Sequence, residues 1–279
     1  MPIIKRIEQA GQLVLETIYI GRAPRSVSGI WTEAPRSRSP RQLGSDERQL
    51  GANRSSSRRR LELLLAANFG FASAQLLGIG WRDSRLPRSR LDALAETKAY
   101  VRRVDYALSA QSPAAGWRYV FVIEEQHGEG RMHVHMVVAP SWPQLMPVIA
   151  GCWGAGEAVW EPLDTDRWRG YRELAAYLLK EQGTRRSTIR PGQHMWHASR
   201  DLIRPEPAYE IVEGPEQLAL PEDAYVIERH ESSGLHGPWM QRLYVLDGYD
   251  QQRYRRYMPD LETKLGAGDP AALLALCPE

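Results

Sequence analysis

Residues 119–138 read YVFVIEEQHGEGRMHVHMVV, in which two apolar runs enclose a polar loop that contains two glycines. This pattern predicts a β-hairpin, because each run has the length of a strand and the glycines allow the chain to reverse. Side chains of a strand alternate between its two faces, so we expect His133 and His135 on the same face of the second strand. The hairpin therefore predicts two imidazole rings that are close enough to share one cation.

Two carboxylates end the first run of this hairpin, and its register decides which of them lies level with the histidines. An even loop that closes Gln126 opposite Arg131 places Glu124 opposite His133, whereas an odd loop selects Glu125. Both glutamates are therefore candidate ligands. Two imidazoles and one carboxylate can hold a divalent cation and leave positions open for water or substrate, as a catalytic site requires.

Strand and helix patterns surround the hairpin without a regular strand–helix–strand rhythm. Residues 74–81, AQLLGIGW, predict a buried strand, and residues 88–108 have apolar side chains at helical spacing. A shorter helix is predicted after Ser141, and a further strand at residues 157–163. This order predicts an α+β fold with a central antiparallel β-sheet flanked by helices.

Charge and composition divide the chain into three parts. Residues 1–110 carry 19 Lys and Arg against 10 Asp and Glu, whereas the remainder carries 17 against 24. Residues 22–60 are rich in Arg, Ser, Pro and Gly and contain few large apolar side chains, which predicts a basic, largely disordered N-terminal extension over residues 1–57. The pattern then predicts a catalytic domain over residues 58–205 and an acidic C-terminal extension over residues 206–279 that packs partly on it.

Cysteine usage and hydropathy restrict the cellular setting. Cys152 and Cys277 are the only cysteines and neither belongs to a CxxC motif, which predicts a reduced, cytoplasmic protein. The apolar stretches at the N-terminus are interrupted by Glu8 and Glu16, so they predict neither a signal peptide nor a membrane span. The basic first half of the chain favours a polyanionic partner.

The segment YRELAAYLLKEQ, residues 171–182, predicts a helix with one polar face. Tyr177 and Lys180 share that face because they are three residues apart. A phenol is a weak nucleophile at neutral pH, and a nearby ammonium group favours its phenolate form. The spacing makes Tyr177 a candidate nucleophile and Lys180 a candidate helper.

The order of these motifs resembles that of the rolling-circle replication initiators of the HUH endonuclease superfamily, in particular the plasmid- and phage-type Rep proteins. The resemblance rests on VIEEQHGEGRMHVHMVV, on IAGCWGAGEAVW with its tryptophan and on AAYLLKEQ, and it covers about residues 54–207. The family's first strand motif usually carries threonines, whereas this chain has LLGIGW there. Tyr171 lies six residues before Tyr177 on a different helical face, so the chain resembles the single-tyrosine members.

The resemblance implies an HUH/Rep-like sheet with an RRM-like core and a site-specific endonuclease and strand transferase. Its substrate would be single-stranded DNA or origin hairpin DNA, with a host helicase as a further partner. Tyr177 would form a 5′-phosphotyrosine intermediate with help from Lys180. The cofactor would be Mg²⁺ or Mn²⁺, and the implied ligands are His133, His135 and either Glu124 or Glu125.

Two other functions are alternatives. A single-tyrosine HUH transposase would use the same chemistry, and a requirement for an origin-like hairpin or for a transposon end separates the two. Conjugative relaxases are disfavoured, because their tyrosine lies near the N-terminus and they have a three-histidine site. A non-catalytic basic DNA-binding module, in which the His-Val-His motif only packs, is the alternative from a different class.

Overall fold

The structure, a computed structural model, describes residues 3–20, 47–69, 74–111, 117–127, 131–139, 143–163, 171–180, 189, 193–234 and 237–246. The chain forms two compact units. Of these described residues, those up to Ser56 and from Arg204 onward belong to the first unit, and those from Ser57 to Ile203 belong to the second. Among the described helices, none is long and apolar enough to cross a membrane.

The described residues form ten strands and four α-helices. The strands are β1 (Ile3–Ala10), β2 (Leu13–Ile20), β3 (Gln75–Gly80), β4 (Arg118–His127), β5 (Arg131–Ala139), β6 (Ala158–Pro162), β7 (His197–Ala198), β8 (Ala208–Val212), β9 (Ala224–Gly234) and β10 (Gly237–Leu246). The helices are α1 (Glu47–Phe69), α2 (Arg90–Gln111), α3 (Leu145–Gly151) and α4 (Arg172–Leu178). The strands form two antiparallel sheets, which confirms the α+β class.

The first unit contains a five-stranded sheet in the order β8-β1-β2-β10-β9. Strands β1 and β2 are joined by a tight turn in which Gly11 has a φ of 62°, a left-handed conformation that glycine adopts without strain. Glu16 on β2 is buried and accepts a hydrogen bond of 2.6 Å from Nε of Arg242 on β10. Lys5 Nζ lies 3.5 Å from the same carboxylate, so the buried negative charge is compensated twice.

This sheet differs from the domain division that the sequence predicts. Residues 3–20, expected within a disordered extension, form two of its strands, and residues 208–246 supply the other three. Helix α1 likewise begins at Glu47, within the stretch that the sequence predicts to be largely disordered. Pairs such as Tyr19 with Trp239 join segments that are far apart in the chain, and such pairing leaves no periodic pattern in either segment alone.

The second unit contains a five-stranded sheet in the order β6-β3-β5-β4-β7. Its centre is β5, which carries the two histidines and pairs with β3 on one side and β4 on the other. The predicted hairpin at residues 119–138 is confirmed, because β4 and β5 are adjacent and antiparallel. The predicted strand at residues 74–81 and helix at residues 88–108 are confirmed as β3 and α2.

Helices cover both faces of this second sheet. On one face, the α1–α4 face, the sheet packs against α1 and α4. This core contains Leu76, Val120, Val122 and Val137 from the strands and Leu61, Leu65, Leu174 and Leu178 from the helices. On the other face, the α2–α3 face, the packing is with α2 and α3; it includes Leu77, Ile79, Tyr100, Val104, Phe121, Ile123, Val134, Met136 and Ile149. Alternate residues of each strand therefore reach different cores, as a pleated sheet between two helical layers requires.

The end of β3 is held by the chain just before β6. Gly80 N donates to the Glu157 carbonyl at 2.9 Å, and Arg82 N donates to the Ala155 carbonyl at 3.0 Å. Gly156 lies between these two bonds, where an added Cβ would stand 2.1 Å from the Gly80 carbonyl oxygen. Only glycine fits this close approach of two backbones.

A substitution of Gly156 by Ala is therefore expected to destabilise the second unit. The backbone must separate, so we expect the free energy of unfolding to fall by about 1–3 kcal/mol, as for other overpacked sites. Gly154→Ala is the matched control, because its added Cβ meets no atom within 4 Å. That control should stay within about 0.5 kcal/mol of the parent in urea unfolding, and equal stability of the two variants would contradict the packing argument.

Candidate functional site

The register of β4 against β5 selects one of the two candidate glutamates. Glu124 lies directly opposite His133, Val122 lies opposite His135, and the register shifts between Glu124 and His127. Residues that are directly opposite on neighbouring strands share a face of the sheet. Glu124 and the two histidines therefore lie together on the α1–α4 face.

Glu125 belongs to the opposite face of the sheet. Its Oε1 lies 3.2 Å from Nη1 of Arg90 on α2, and both side chains are buried. The same Nη1 donates to the Ile123 carbonyl at 2.7 Å. Glu125 is thus part of a buried ion pair with α2, and the structure does not bring this candidate ligand to the histidines.

The neighbouring strand β3 places no side chain directly beside the two histidines. Gly80 pairs with His133, and Gly78 pairs with His135, so a residue without a side chain faces each imidazole across the strand pair. An added Cβ at Gly80 would stand 3.5 Å from Nε2 of His133, in ordinary van der Waals contact. The segment LLGIGW lacks the family's threonines, but its two glycines, at alternate positions, are the signal that could have placed this strand beside the histidines.

Glu124 is a buried carboxylate with two partners. Its Oε2 lies 2.5 Å from Nε2 of His135, and its Oε1 lies 3.0 Å from Nζ of Lys180. Burial raises the pKa of Glu124, but the hydrogen bonds and charges of Lys180 and His135 outweigh it and hold the pKa at about 2. At neutral pH this carboxyl is therefore ionised and can only accept hydrogen bonds or bind a cation.

Helix α4 presents Tyr177 to this carboxylate and its partners. The helix buries Leu174, Ala175 and Leu178 against the α1–α4 face, which turns the other side of the helix outward. The ring of Tyr177 meets the ring of His135 edge-on, with centroids 5.3 Å apart. The Tyr177 residue is 39% exposed to solvent. An incoming phosphate can therefore reach this phenol, as a nucleophile requires.

Lys180 connects the phenol to the carboxylate. Its Nζ stands 4.3 Å from the centre of the Tyr177 ring while it pairs with Glu124. An ammonium over an aromatic face is attracted by the ring and fixes the relative position of the two side chains. The structure thus brings together five of the predicted site residues: Glu124, His133, His135, Tyr177 and Lys180. His133 is placed there by its strand register, and Glu125 lies elsewhere.

The side chains of this cluster could bind a divalent metal ion, because they offer suitable donor atoms on the same face of the sheet. One carboxylate and two imidazoles on the same side of adjacent strands are the nitrogen and oxygen ligands that Mn²⁺ and Mg²⁺ accept. As the side chains stand, no group of three His, Cys, Asp or Glu residues in the described ranges is placed to hold a metal ion. Glu124 contacts His135 directly, so that contact must open before all three donors can share one ion.

Comparison of the chain with protein-family models, with curated proteins and with solved structures finds no match.

Proposed function

We propose that this protein is a rolling-circle replication initiator that nicks and rejoins single-stranded DNA through a 5′-phosphotyrosine intermediate. The observation that carries the proposal is the meeting of an exposed tyrosine, Tyr177, with Lys180, Glu124 and His135. These side chains come from two strands and a helix that follows them in the chain. A phenol, an ammonium, an ionised carboxylate and an imidazole are the groups that metal-assisted transfer of a phosphodiester to tyrosine requires.

The chemistry exchanges one phosphodiester for another. The Tyr177 oxygen attacks the scissile phosphorus and loses its proton, and the bond from phosphorus to the 3′-oxygen breaks. The leaving 3′-oxygen takes up a proton and becomes a hydroxyl that can prime synthesis, while the 5′-phosphate stays on the tyrosine. Because the new bond is of the same type as the old one, a 3′-hydroxyl can reverse the step without ATP.

Two charged side chains of the protein, Glu124 and Lys180, are positioned to assist this step. Glu124 holds the Lys180 ammonium beside the Tyr177 ring, so a positive charge is already in place where the phenolate and the phosphate oxygens meet. Charges fixed in advance by buried partners cost little reorganisation when the transition state forms. Lys180 is accordingly assigned to stabilise the phenolate or the phosphate, and Glu124 to hold it there.

A divalent ion would be held by His133, His135 and Glu124. When bound, Mn²⁺ or Mg²⁺ would supply positive charge to the oxygens of the scissile phosphate and make its phosphorus more electrophilic. The substrate is single-stranded DNA or a strand in an origin hairpin, and we place the reaction in the cytoplasm with a host helicase opening the duplex.

The test is capture of the covalent intermediate. The full chain is incubated with a labelled pool of random single-stranded oligonucleotides and with Mn²⁺, and adducts are separated in denaturant. We expect a labelled protein band that requires the metal and disappears with a chelator. Sequencing of the captured strands then identifies the nick site.

Binding of the pool without any adduct would contradict the proposed function. That result would favour the non-catalytic DNA-binding alternative, since such a module retains strands only until the denaturant is added. Captured strands that share a hairpin would agree with a replication origin. Captured strands that match only the end of a mobile element would instead indicate a transposase.

A further inference from the structure

A cavity of about 390 Å³ opens on the α2–α3 face of the second sheet. Its walls are the first turns of α2 and the segment that leads into β7. The residues that matter for its chemistry are Arg90, Leu91, Leu94, Lys98, His194 and His197. The volume lies in the range of about 300–1,000 Å³ that is usual for small-molecule sites, at its lower end. The cavity suits one nucleotide and excludes a duplex.

This cavity is separate from the cluster around Tyr177. The ring of His197 stacks on Phe121, with centroids 5.1 Å apart, and Phe121 belongs to the core on the α2–α3 face. Glu124 and His135 lie on the opposite face of the same sheet. The cavity therefore has no part in the proposed chemistry of the nick.

The charged side chains in the cavity wall are of one sign, positive. Arg90 and Lys98 stand in its wall, and none of the described residues that line it is acidic. Burial, and after it the charges of Lys98, His194 and Arg90, lower the pKa of His197 to about 4. Arg90 is already paired with Glu125, so it is the exposed ammonium of Lys98 that favours an anion in this space.

Two leucine side chains and two imidazole rings form a large part of the remaining lining. Leu91 and Leu94 form one wall, and Leu91 is 63% exposed, which is unusual for a large apolar side chain. The rings of His194 and His197 lie 6.0 Å apart at 67° and form another. Nucleic-acid bases stack on flat rings of this kind without regard to sequence.

Arg90 joins the cavity to the strand that carries Glu124. The residue is only 8% exposed, and its Nη1 bonds to the Ile123 carbonyl and to Glu125, the two residues that flank Glu124 on β4. These bonds hold the Arg90 side chain in place before a ligand binds. Lys98, which is exposed, is the cation that can move onto a ligand.

We propose that this cavity binds one nucleotide of the single-stranded DNA substrate, with its base between the leucine wall and the rings of His194 and His197 and its phosphate beside Lys98. The inference that a nucleotide binds depends only on the residues that line the cavity. The assignment of that nucleotide to the substrate strand rests on the proposed function. A strand held here as well as at Tyr177 would pass around the sheet from one face to the other. The bonds of Arg90 then couple an occupied cavity to the position of β4.

The first experiment measures binding by calorimetry on the full chain with Tyr177→Phe, so that no cleavage intervenes. The ligands are dTMP and dAMP, with thymidine and inorganic phosphate as partial ligands. We expect the nucleotides to bind at least about tenfold more tightly than either part, since base and phosphate contacts act together. Absence of nucleotide binding, or phosphate that binds as well as dTMP, would overturn the assignment.

A charge-matched pair of variants locates the site. Lys98→Glu reverses a cation in the cavity, and Arg102→Glu makes the same change one turn further along α2 at an exposed residue outside it. We expect Lys98→Glu to weaken dTMP binding by about tenfold or more and Arg102→Glu by less than about twofold. Equal weakening by both would mean general attraction of anions and would refute the cavity as the site.

A competition experiment distinguishes a strand from a free nucleotide. A thymidine decanucleotide should displace dTMP from the Tyr177→Phe protein, and failure to do so would refute the link to the substrate strand. The outcome is independent of the nicking test. Adduct formation without nucleotide binding defeats only the inference on the cavity. Nucleotide binding without an adduct defeats the proposed function, and with it the assignment to a substrate strand, but leaves the cavity as a nucleotide site.

Discussion

Tyr177→Phe is expected to abolish the covalent protein–DNA adduct while DNA binding is retained. The substitution removes one oxygen from an exposed ring and keeps the ring contacts with His135 and Lys180. Loss of an enzyme's nucleophile costs several orders of magnitude in rate, so we expect a decrease of at least about 10³-fold. Denaturing gels measure the adduct, and an anisotropy titration with the same oligonucleotide measures binding.

Tyr171→Phe is the matched control for this result. Tyr171 precedes the same helix and packs against the core on the α1–α4 face, and burial raises the pKa of its phenol to about 12. A buried phenol with so high a pKa supplies little phenolate at neutral pH. The control should therefore form the adduct as the parent does. Adduct at the parental level in the Tyr177 variant would remove this residue as nucleophile.

Replacement of His133 and His135 together by Ala is expected to give the second largest loss. Both imidazoles are removed from one side of the sheet, and Glu124 loses its contact with His135 while its ion pair with Lys180 remains. If the ion that these residues hold provides charge for the scissile phosphate, adduct formation should fall by about 10²–10³-fold. The decrease should persist at high Mn²⁺ concentration, because two of three ligands are gone.

Two measurements separate lost metal binding from lost folding in this double variant. Direct binding of Mn²⁺, followed by its electron paramagnetic resonance signal, should weaken, whereas circular dichroism should show a folded chain. His230→Ala, which removes a histidine that contacts Trp239 in the first unit, is the control and should leave both readings unchanged. Unreduced metal-dependent adduct in the double variant would end the assignment of the histidines.

The parts of the site that the sequence predicts are those with local patterns. His133 and His135 share a face because they are two positions apart on one strand, and Tyr177 and Lys180 lie together because they are three positions apart at a helix end. Both relations follow from the periodicity of a single element. The structure agrees with each of them.

The choice between the two glutamates could not be predicted because it depends on the loop. The register shift between Glu124 and His127 is a property of the paired strands, and one residue more or less would reverse the faces of Glu124 and Glu125. The ion pair of Glu125 with Arg90 could not be predicted either, since the two residues are 35 positions apart in the chain and belong to different elements. Contacts between elements, unlike patterns within them, require the tertiary arrangement.

The sheet of the first unit imposes an order on the folding of a newly made chain. Strands β1 and β2 leave the ribosome first, but their outer neighbours β8 and β10 are translated only after the whole of the described second unit. A two-stranded hairpin is marginal in water by itself, so it must wait, while the second unit can complete its own core. We expect nascent chains released near residue 205 to contain a protected second unit and an unprotected N-terminal hairpin that a protease can remove.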